Sequence, residues 1–221
     1  MEMTTISATL YNDKIYVIGA RPPSPMLYTF YIYDIASNTW TEGSNMQNAK
    51  VGSSITVHDG KIYAAGGFEF GYDDPSYIID DIQAYDIQKD VWETVGSVQN
   101  GENIITAAYN GNYYVLCPVN FTNVKNGIEI TSVDWFGNAP EAVVQDENLI
   151  YSFEDKDLTI VDLLNDLTYD GAPIPNSVGY GYNGYNSCAA KLYNNKIYVA
   201  SGSESPLQIY DTVSYTHLRA H

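Results

Sequence analysis

Ser54-Ile55-Thr56-Val57-His58-Asp59-Gly60-Lys61-Ile62-Tyr63-Ala64-Ala65-Gly66-Gly67 reads as two short strands folded about a two-residue turn. β-Branched and aromatic residues flank Asp59-Gly60, a pair that accepts the positive φ angles of a tight hairpin. Gly66-Gly67 ends the returning strand. After a loop, Ile82-Gln83-Ala84-Tyr85-Asp86 predicts a third strand, Ile87-Gln88-Lys89-Asp90 a turn, and Val91-Trp92-Glu93-Thr94-Val95 a fourth. Four short antiparallel strands make one sheet.

The returning strand recurs along the chain. Gly60-Lys61-Ile62-Tyr63-Ala64 has counterparts in Asp13-Lys14-Ile15-Tyr16-Val17, Gly111-Asn112-Tyr113-Tyr114-Val115, Asn148-Leu149-Ile150-Tyr151-Ser152 and Asn195-Lys196-Ile197-Tyr198-Val199, with tyrosine-to-tyrosine steps of 47, 51, 37 and 47 residues. Repetition at that period means that one supersecondary unit is copied and that each copy buries its apolar face mainly against its neighbours. The first copy predicts strands at Ala8 to Tyr11, Lys14 to Ile18, Phe30 to Asp34 and Thr39 to Glu42. In both early copies a Trp follows an Asp by six residues, Asp34 to Trp40 and Asp86 to Trp92. That Asp reads as an Asx-type turn former whose carboxylate takes backbone N–H groups between the third and fourth strands.

This grammar resembles kelch repeats, the blades of a family of β-propellers. The family's paired glycines match Gly66-Gly67 and half match Gly19-Ala20; its tyrosine matches Tyr16, Tyr63, Tyr114, Tyr151 and Tyr198, and its spaced Trp matches Trp40 and Trp92. Met46-Gln47-Asn48-Ala49-Lys50 stands where many kelch proteins have Met-Pro-x-x-Arg, with Lys50 in place of arginine. The resemblance covers most of Ala8 to Asp211. It implies an all-β, kelch-like β-propeller of about four and a half four-stranded antiparallel blades, an incomplete ring. In the third copy Cys117-Pro118 replaces the glycine pair, and Ile128 to Trp135 reads as either a third or a fourth strand. The fourth copy keeps Leu158-Thr159-Ile160-Val161-Asp162 but carries Tyr169 one residue later than the Trp position.

With 221 residues and 45% hydrophobic content, the chain has enough apolar material for a sizeable core. Lys plus Arg total 10 against 27 Asp plus Glu, a net charge of -17. Such a field repels phosphate backbones and anionic headgroups, so nucleic acid and membrane surfaces are not expected partners. No stretch approaches the roughly 20 apolar residues of a transmembrane helix, and Met1 to Leu10 lacks the pattern of a secretion signal. Cys117 and Cys188 fall in different repeats and read as small buried strand residues; pairing them requires Cα atoms within about 7 Å.

Catalytic material is sparse. His58 lies immediately before its hairpin turn, in a column with Tyr11, Tyr109, Asp146 and Tyr193, and reads as a polar residue at a strand end. A general base needs a nucleophile or substrate group within hydrogen-bond reach, and histidine-based triads or zinc sites need more histidine than the repeats contain. Asp73-Asp74 with Asp80-Asp81, and Glu154-Asp155 with Asp157, lack the Asp-x-Asp-x-Asp-Gly loop that supplies calcium with its oxygens. They read as solvated charge. No Gly-rich phosphate loop opens a helix. Neither a metal nor a cofactor is expected.

In a four-stranded meander, the loops joining strands two and three emerge at the same end as the blade-to-blade connections. The longest run from Ala20 to Thr29, Phe68 to Ile79 and Pro175 to Ser187. They supply the expected ligand-binding candidates Arg21, Phe68, Phe70, Tyr72, Asp73, Asp74, Tyr77, Tyr180, Tyr182 and Tyr185. Tyrosine spaced by Gly and Asn gives large contact area at small entropic cost, and carboxylates between the rings favour a basic peptide or a hydroxyl-rich ligand.

The family resemblance and the missing catalytic chemistry imply a non-catalytic interaction module that binds a protein or peptide. A carbohydrate-binding propeller is the alternative, followed by a sugar-modifying enzyme of oxidase or mutarotase type whose active residues are not found in these repeats. The propeller is expected over residues 1–212. Residues 213–221, Val213-Ser214-Tyr215-Thr216-His217-Leu218-Arg219-Ala220-His221, break the repeat grammar and resemble translated adaptor read-through, which implies a truncated, environmentally derived fragment. The acidic, Asn- and Tyr-rich composition leans towards a bacterial surface or extracellular location, with the cytoplasm as the alternative.

Overall fold

The computed structural model describes residues 4–21, 27–48, 52–69, 77–98, 104–117, 123–130, 142–165, 167–173, 188–201 and 207–212. They form two compact units, Met1–Thr131 and Ser132–His221. Among the described residues up to Asp211, all regular structure is β.

The first unit holds three four-stranded antiparallel meanders. The first comprises β1 (Thr4–Tyr11), β2 (Lys14–Arg21), β3 (Leu27–Asp34) and β4 (Thr39–Glu42). β5 (Ser54–His58) and β6 (Lys61–Ala65) begin the second; β7 (Phe68–Glu69) and β8 (Tyr77–Ile78) pair as a separate ribbon, and β9 (Asp81–Asp86) and β10 (Val91–Ser97) complete the sheet. The third contains β11 (Ile105–Tyr109), β12 (Asn112–Leu116), β13 (Asn123–Lys125) and β14 (Ile128–Ile130). The second unit holds β15 (Ala142–Asp146), β16 (Leu149–Glu154), β17 (Asp157–Asp162) and β18 (Leu167–Asp170), then a three-stranded sheet of β19 (Cys188–Tyr193), β20 (Lys196–Ser201) and β21 (Gln208–Asp211). Four complete blades and one of three strands are the expected all-β architecture.

The turns explain the sharp reversals. Asn12-Asp13, Asp59-Gly60, Asn110-Gly111 and Asn194-Asn195 have positive φ at both positions, the geometry that joins twisted strands in two residues. Between strands three and four, the expected Asx turns are present. The Asp34 carboxylate accepts from the Ser37 N–H at 2.9 Å, Asp86 from the Gln88 and Lys89 N–H groups at 3.0 and 3.1 Å, and Asp162 from those of Leu164 and Asn165 at 3.0 and 3.3 Å.

The recurring tyrosine is a fixed register position. Tyr16 stands between Thr9 and Ile32, Tyr63 between Thr56 and Ala84, Tyr114 between Ala107 and Lys125, Tyr151 between Val144 and Ile160, and Tyr198 between Lys191 and Ile209. Alternation along the strand then divides the side chains between two neighbours. Tyr16, Ile18 and Phe30 of the first blade meet Ile62, Ala64, Tyr85 and Trp92 of the second. On the other face, Tyr63, Ala65, Ile82 and Ala84 meet Tyr113, Val115, Cys117 and Val124 of the third. In the second unit, Tyr151, Phe153, Leu158 and Ile160 meet Ile197 and Val199 by the same rule. The seam between blades two and three includes a stacked pair, Tyr63 on Tyr113, with ring centroids 4.1 Å apart. Burial of that seam raises the Tyr113 phenol to about 12, and burial with Asp80 nearby raises the free Cys117 thiol to about 12. The Cys188 side chain lies outside the described residues.

The structure resolves the ambiguous third blade. Ile128–Ile130 is its fourth strand, and the third is Asn123–Lys125, a segment with little β character in sequence. Asn123 is buried there, its side-chain oxygen accepting from the Cys117 N–H at 3.1 Å. The fourth blade confirms the displaced aromatic: Tyr169 pairs with Ile160, whereas Trp40 and Trp92 pair with Tyr33 and Tyr85, so Thr168 takes the Trp register opposite Val161.

Two glycines repeat a contact that sequence spacing does not reveal. Gly43 donates its N–H to the Phe30 carbonyl, and a Cβ there would lie 2.5 Å from the Phe30 ring; Gly171 donates to the Leu158 carbonyl, and a Cβ would lie 2.5 Å from the Leu158 side chain. Gly43→Ala and Gly171→Ala are therefore each expected to cost about 1–3 kcal/mol through overpacking. Urea unfolding should show a lower midpoint at unchanged slope.

Candidate binding face

Within the first unit, the first strands β1, β5 and β11 lie side by side. Near their starts, the Ser7 hydroxyl donates to the Ser53 carbonyl, and the Ser54 and Thr106 hydroxyls share a hydrogen bond of 2.9 Å. Their far ends share one pocket, so they point the same way. The connections that follow strand two consequently leave from one common end. Function on a repeat scaffold commonly resides in such loops, held by strands that do not move.

Three candidate residues have described backbones at that end. Arg21 is the last residue of β2, paired with Leu27 across the loop mouth. Phe68 and Tyr77 belong to the β7–β8 ribbon, paired with Ile78 and Glu69 respectively. Phe70, Tyr72, Asp73, Asp74, Tyr180, Tyr182 and Tyr185 lie outside the described residues, as do the side chains of Arg21, Phe68 and Tyr77. The ribbon itself was not legible as strand: two residues on each side are too short for a periodic signal.

The base of that loop is firmly attached. The Ile79 N–H donates to the Gly67 carbonyl at 2.9 Å and the Val98 N–H to the Asp80 carbonyl at 2.7 Å. Asp81 accepts from the Asn48 amide at 2.9 Å and from the Gln83 amide at 2.7 Å, tying the ribbon's exit to the connection between blades one and two. Gly66 and Gly67, with φ of 66° and 94°, occupy backbone conformations that a side chain would strain.

The opposite end holds a feature that sequence reasoning passed over. The first-to-second-strand turns of blades two and three, with Tyr11 of blade one, line a shallow pocket of about 570 Å³, with Tyr11, His58 and Tyr109 on its wall beside Asp59 and Asn110. The signal was the column of large polar residues just before each turn, which reads as strand-end polarity when each hairpin is taken alone. His58 lies 5.9 Å from the Tyr63 ring and 6.1 Å from the Tyr113 ring. It makes no hydrogen bond or ion pair among the described residues.

A second pocket, of about 290 Å³, is lined by Glu154, Asp157 and Asp170 with Gly171 and Pro173. Among the described residues no three His, Cys, Asp or Glu side chains converge as a metal would require, and no helix is long and apolar enough to cross a membrane.

Repeated four-stranded blades, with Tyr16 and Tyr63 in the first unit and Tyr151 in the second each buried against the following blade, define a β-propeller. The Kelch motif matches residues 49–99. Alpha-scruin of Limulus polyphemus is 25% identical over 114 residues, 48% of this chain and 12% of that protein. An F-box/kelch-repeat protein of Arabidopsis thaliana is 31% identical over 87 residues, 39% of this chain and 21% of that one. The solved structure of YjhT superposes with a TM-score of 0.71 at 14% identity, covering 90% of this chain and 72% of that chain, a likeness of fold. The motif, these relatives and the blade architecture support a kelch-repeat β-propeller family for this chain. Its matches span only 12% and 21% of those two relatives' lengths.

Proposed function

We propose that this chain is a non-catalytic interaction module that binds a protein or peptide through the loop end described above. The observation that supports it is the set of hydrogen bonds at Gly67, Asp80 and Asp81, which fix the chain on either side of residues 70–76, a stretch rich in aromatic and acidic residues. Fixed flanks lower the entropic cost of presenting those side chains to a partner. With 27 acidic residues against 10 basic, a basic peptide segment is the favoured ligand chemistry. The kelch-repeat and Kelch-like names of the relatives are consistent with an interaction role.

The test is a peptide-array and pull-down screen with the whole chain, repeated with Tyr72, Tyr77, Tyr180 and Tyr182 changed to Ala. Binding reduced at least tenfold, with the thermal midpoint unchanged, is the expected result. Retention of full binding in the quadruple variant would refute the face, and retention on a glycan array without peptide binding would move the reading to carbohydrate.

A further inference from the structure

Every described residue lining the turn-end pocket belongs to the first unit, and none of them takes part in the loop-end reading. Tyr11, His58 and Tyr109 each close a first strand, and β1, β5 and β11 run side by side, so three rings from consecutive blades reach one wall. Packing holds two of these rings in place. Tyr11 rests against the cluster between blades one and two, while His58 lies against Tyr63 and Tyr113 of the next seam. The polar ends are left over. Among the described residues, neither tyrosine hydroxyl, nor the His58 imidazole, nor the Asp59 carboxylate enters a hydrogen bond or ion pair.

Charge decides what complements this wall. Lys14, opposite Tyr11 in register, is engaged with Asp34 at 3.3 Å, and Lys61, opposite His58, forms no ion pair among the described residues. Asp59 therefore stands beside three rings without a counter-ion. The net charge of -17 draws cations towards such a site and repels anions. Ring faces attract cations as well, through the negative side of their quadrupole. A neutral polyol could stack on the rings but would leave the carboxylate uncompensated. Between the two common organic cations, guanidinium is planar and weakly hydrated, so it gives up less water than an ammonium group when it lies on an aromatic face in a shallow pocket.

We infer that the turn-end pocket is a binding site for a guanidinium group, as carried by an arginine side chain, which lies against the rings of Tyr11, His58 and Tyr109 and donates N–H bonds to the Asp59 carboxylate. Gly60 leaves the space over the Tyr11 hydroxyl open: a Cβ built there would stand 3.8 Å from that oxygen. Asp59 and Asn110 hold the same place in their turns, with φ of 47° and 46°, so the rim offers a carboxylate on one hairpin and an amide on the next.

The test titrates the whole chain with N-acetyl-arginine amide at mildly alkaline pH and follows the His58 imidazole by NMR. The other histidines are His217 and His221, and the His58 resonance is assigned by its loss in His58→Gln. A saturable His58 shift is expected, with none from sodium acetate or methyl glucoside, and N-acetyl-lysine amide should bind about fivefold more weakly. Asp59→Asn keeps the turn, because Asn takes the same positive φ, and should weaken arginine binding about fivefold. Tyr109→Ala should weaken it about as much, and Tyr109→Phe should restore it. A short peptide with one internal arginine that binds as tightly as the amide identifies a protein segment as the source; tighter binding of free arginine identifies a small molecule, and either supports the site. The chain with Tyr72, Tyr77, Tyr180 and Tyr182 changed to Ala should titrate like the native one, so failure of the loop-end reading leaves this result standing. Absence of a saturable His58 shift, or saturation by acetate or the glucoside instead, overturns the inference. So does undiminished binding in Asp59→Asn, which would show only the general attraction of an acidic surface.

Discussion

Trp92→Ala is expected to destabilise the first unit by about 3–5 kcal/mol, whereas Trp40→Ala should cost under about 1 kcal/mol. The two residues share a sequence position and a strand pairing, so intrinsic propensity cannot separate them. Packing does. Trp92 lies in one cluster with Phe30, Tyr16 and Tyr85, its ring 5.2 Å from that of Phe30 in an edge-on arrangement, and its truncation opens a cavity between blades. It also strands the Ser44 carbonyl, which accepts the Trp92 indole N–H at 2.9 Å. Trp40 leans on Tyr33 and Tyr31 of its own sheet, and little else is lost when it is removed. Guanidinium unfolding of both variants, followed by circular dichroism, measures the difference; equal losses would mean that the seam is not where the energy lies.

Asp162→Ala should have the second large effect, about 2–4 kcal/mol, because hydrogen bonds to a charged acceptor are each worth about 1.5–3 kcal/mol and this carboxylate gathers several. It is buried and accepts from the N–H groups of Leu164 and Asn165, from the Asn165 amide at 2.8 Å and from the Asn148 amide at 2.6 Å. Burial alone would raise its pKa, yet the four donors outweigh that and hold it below the ordinary carboxylate value. A depressed folded-state pKa contributes stability that is complete above the unfolded value near 4 and is lost as pH falls through the folded one. The second unit of the native chain should therefore lose this contribution only below about pH 4, and Asp162→Ala should abolish that part of the acid dependence. A variant with the native chain's full acid dependence would remove Asp162 from this role.

The blade pattern was legible because several local signals agree. Asn-Asp, Asp-Gly and Asn-Gly pairs set the first turn, an Asp six residues before Trp sets the last, and alternation between them fixes which side chains meet which neighbour. Where one signal drops out, sequence reading falters. Asn123–Lys125 is too short and too polar to announce a strand, because its place is set by the buried bond from Cys117 to Asn123 and by its neighbours. The Gly43 and Gly171 contacts depend on how a chain leaves its fourth strand, which spacing does not encode. For the binding face, composition located the loops but not their anchors, since the bonds of Asp81 to Asn48 and Gln83 join residues 33 and two positions apart. The turn-end pocket needed three hairpins seen side by side before Tyr11, His58 and Tyr109 became one wall.

The central claim is that Tyr16, Tyr63, Tyr114, Tyr151 and Tyr198 hold one equivalent position, in the inner, doubly bonded strand of successive sheets. Native-state hydrogen exchange read at these five amides tests it most directly. All five should be protected well beyond the amides of β4, β10, β14 and β18, which form the sheet edges. Tyrosine amides that exchange at unrelated rates, or edge-strand amides as slow as these, would contradict the account.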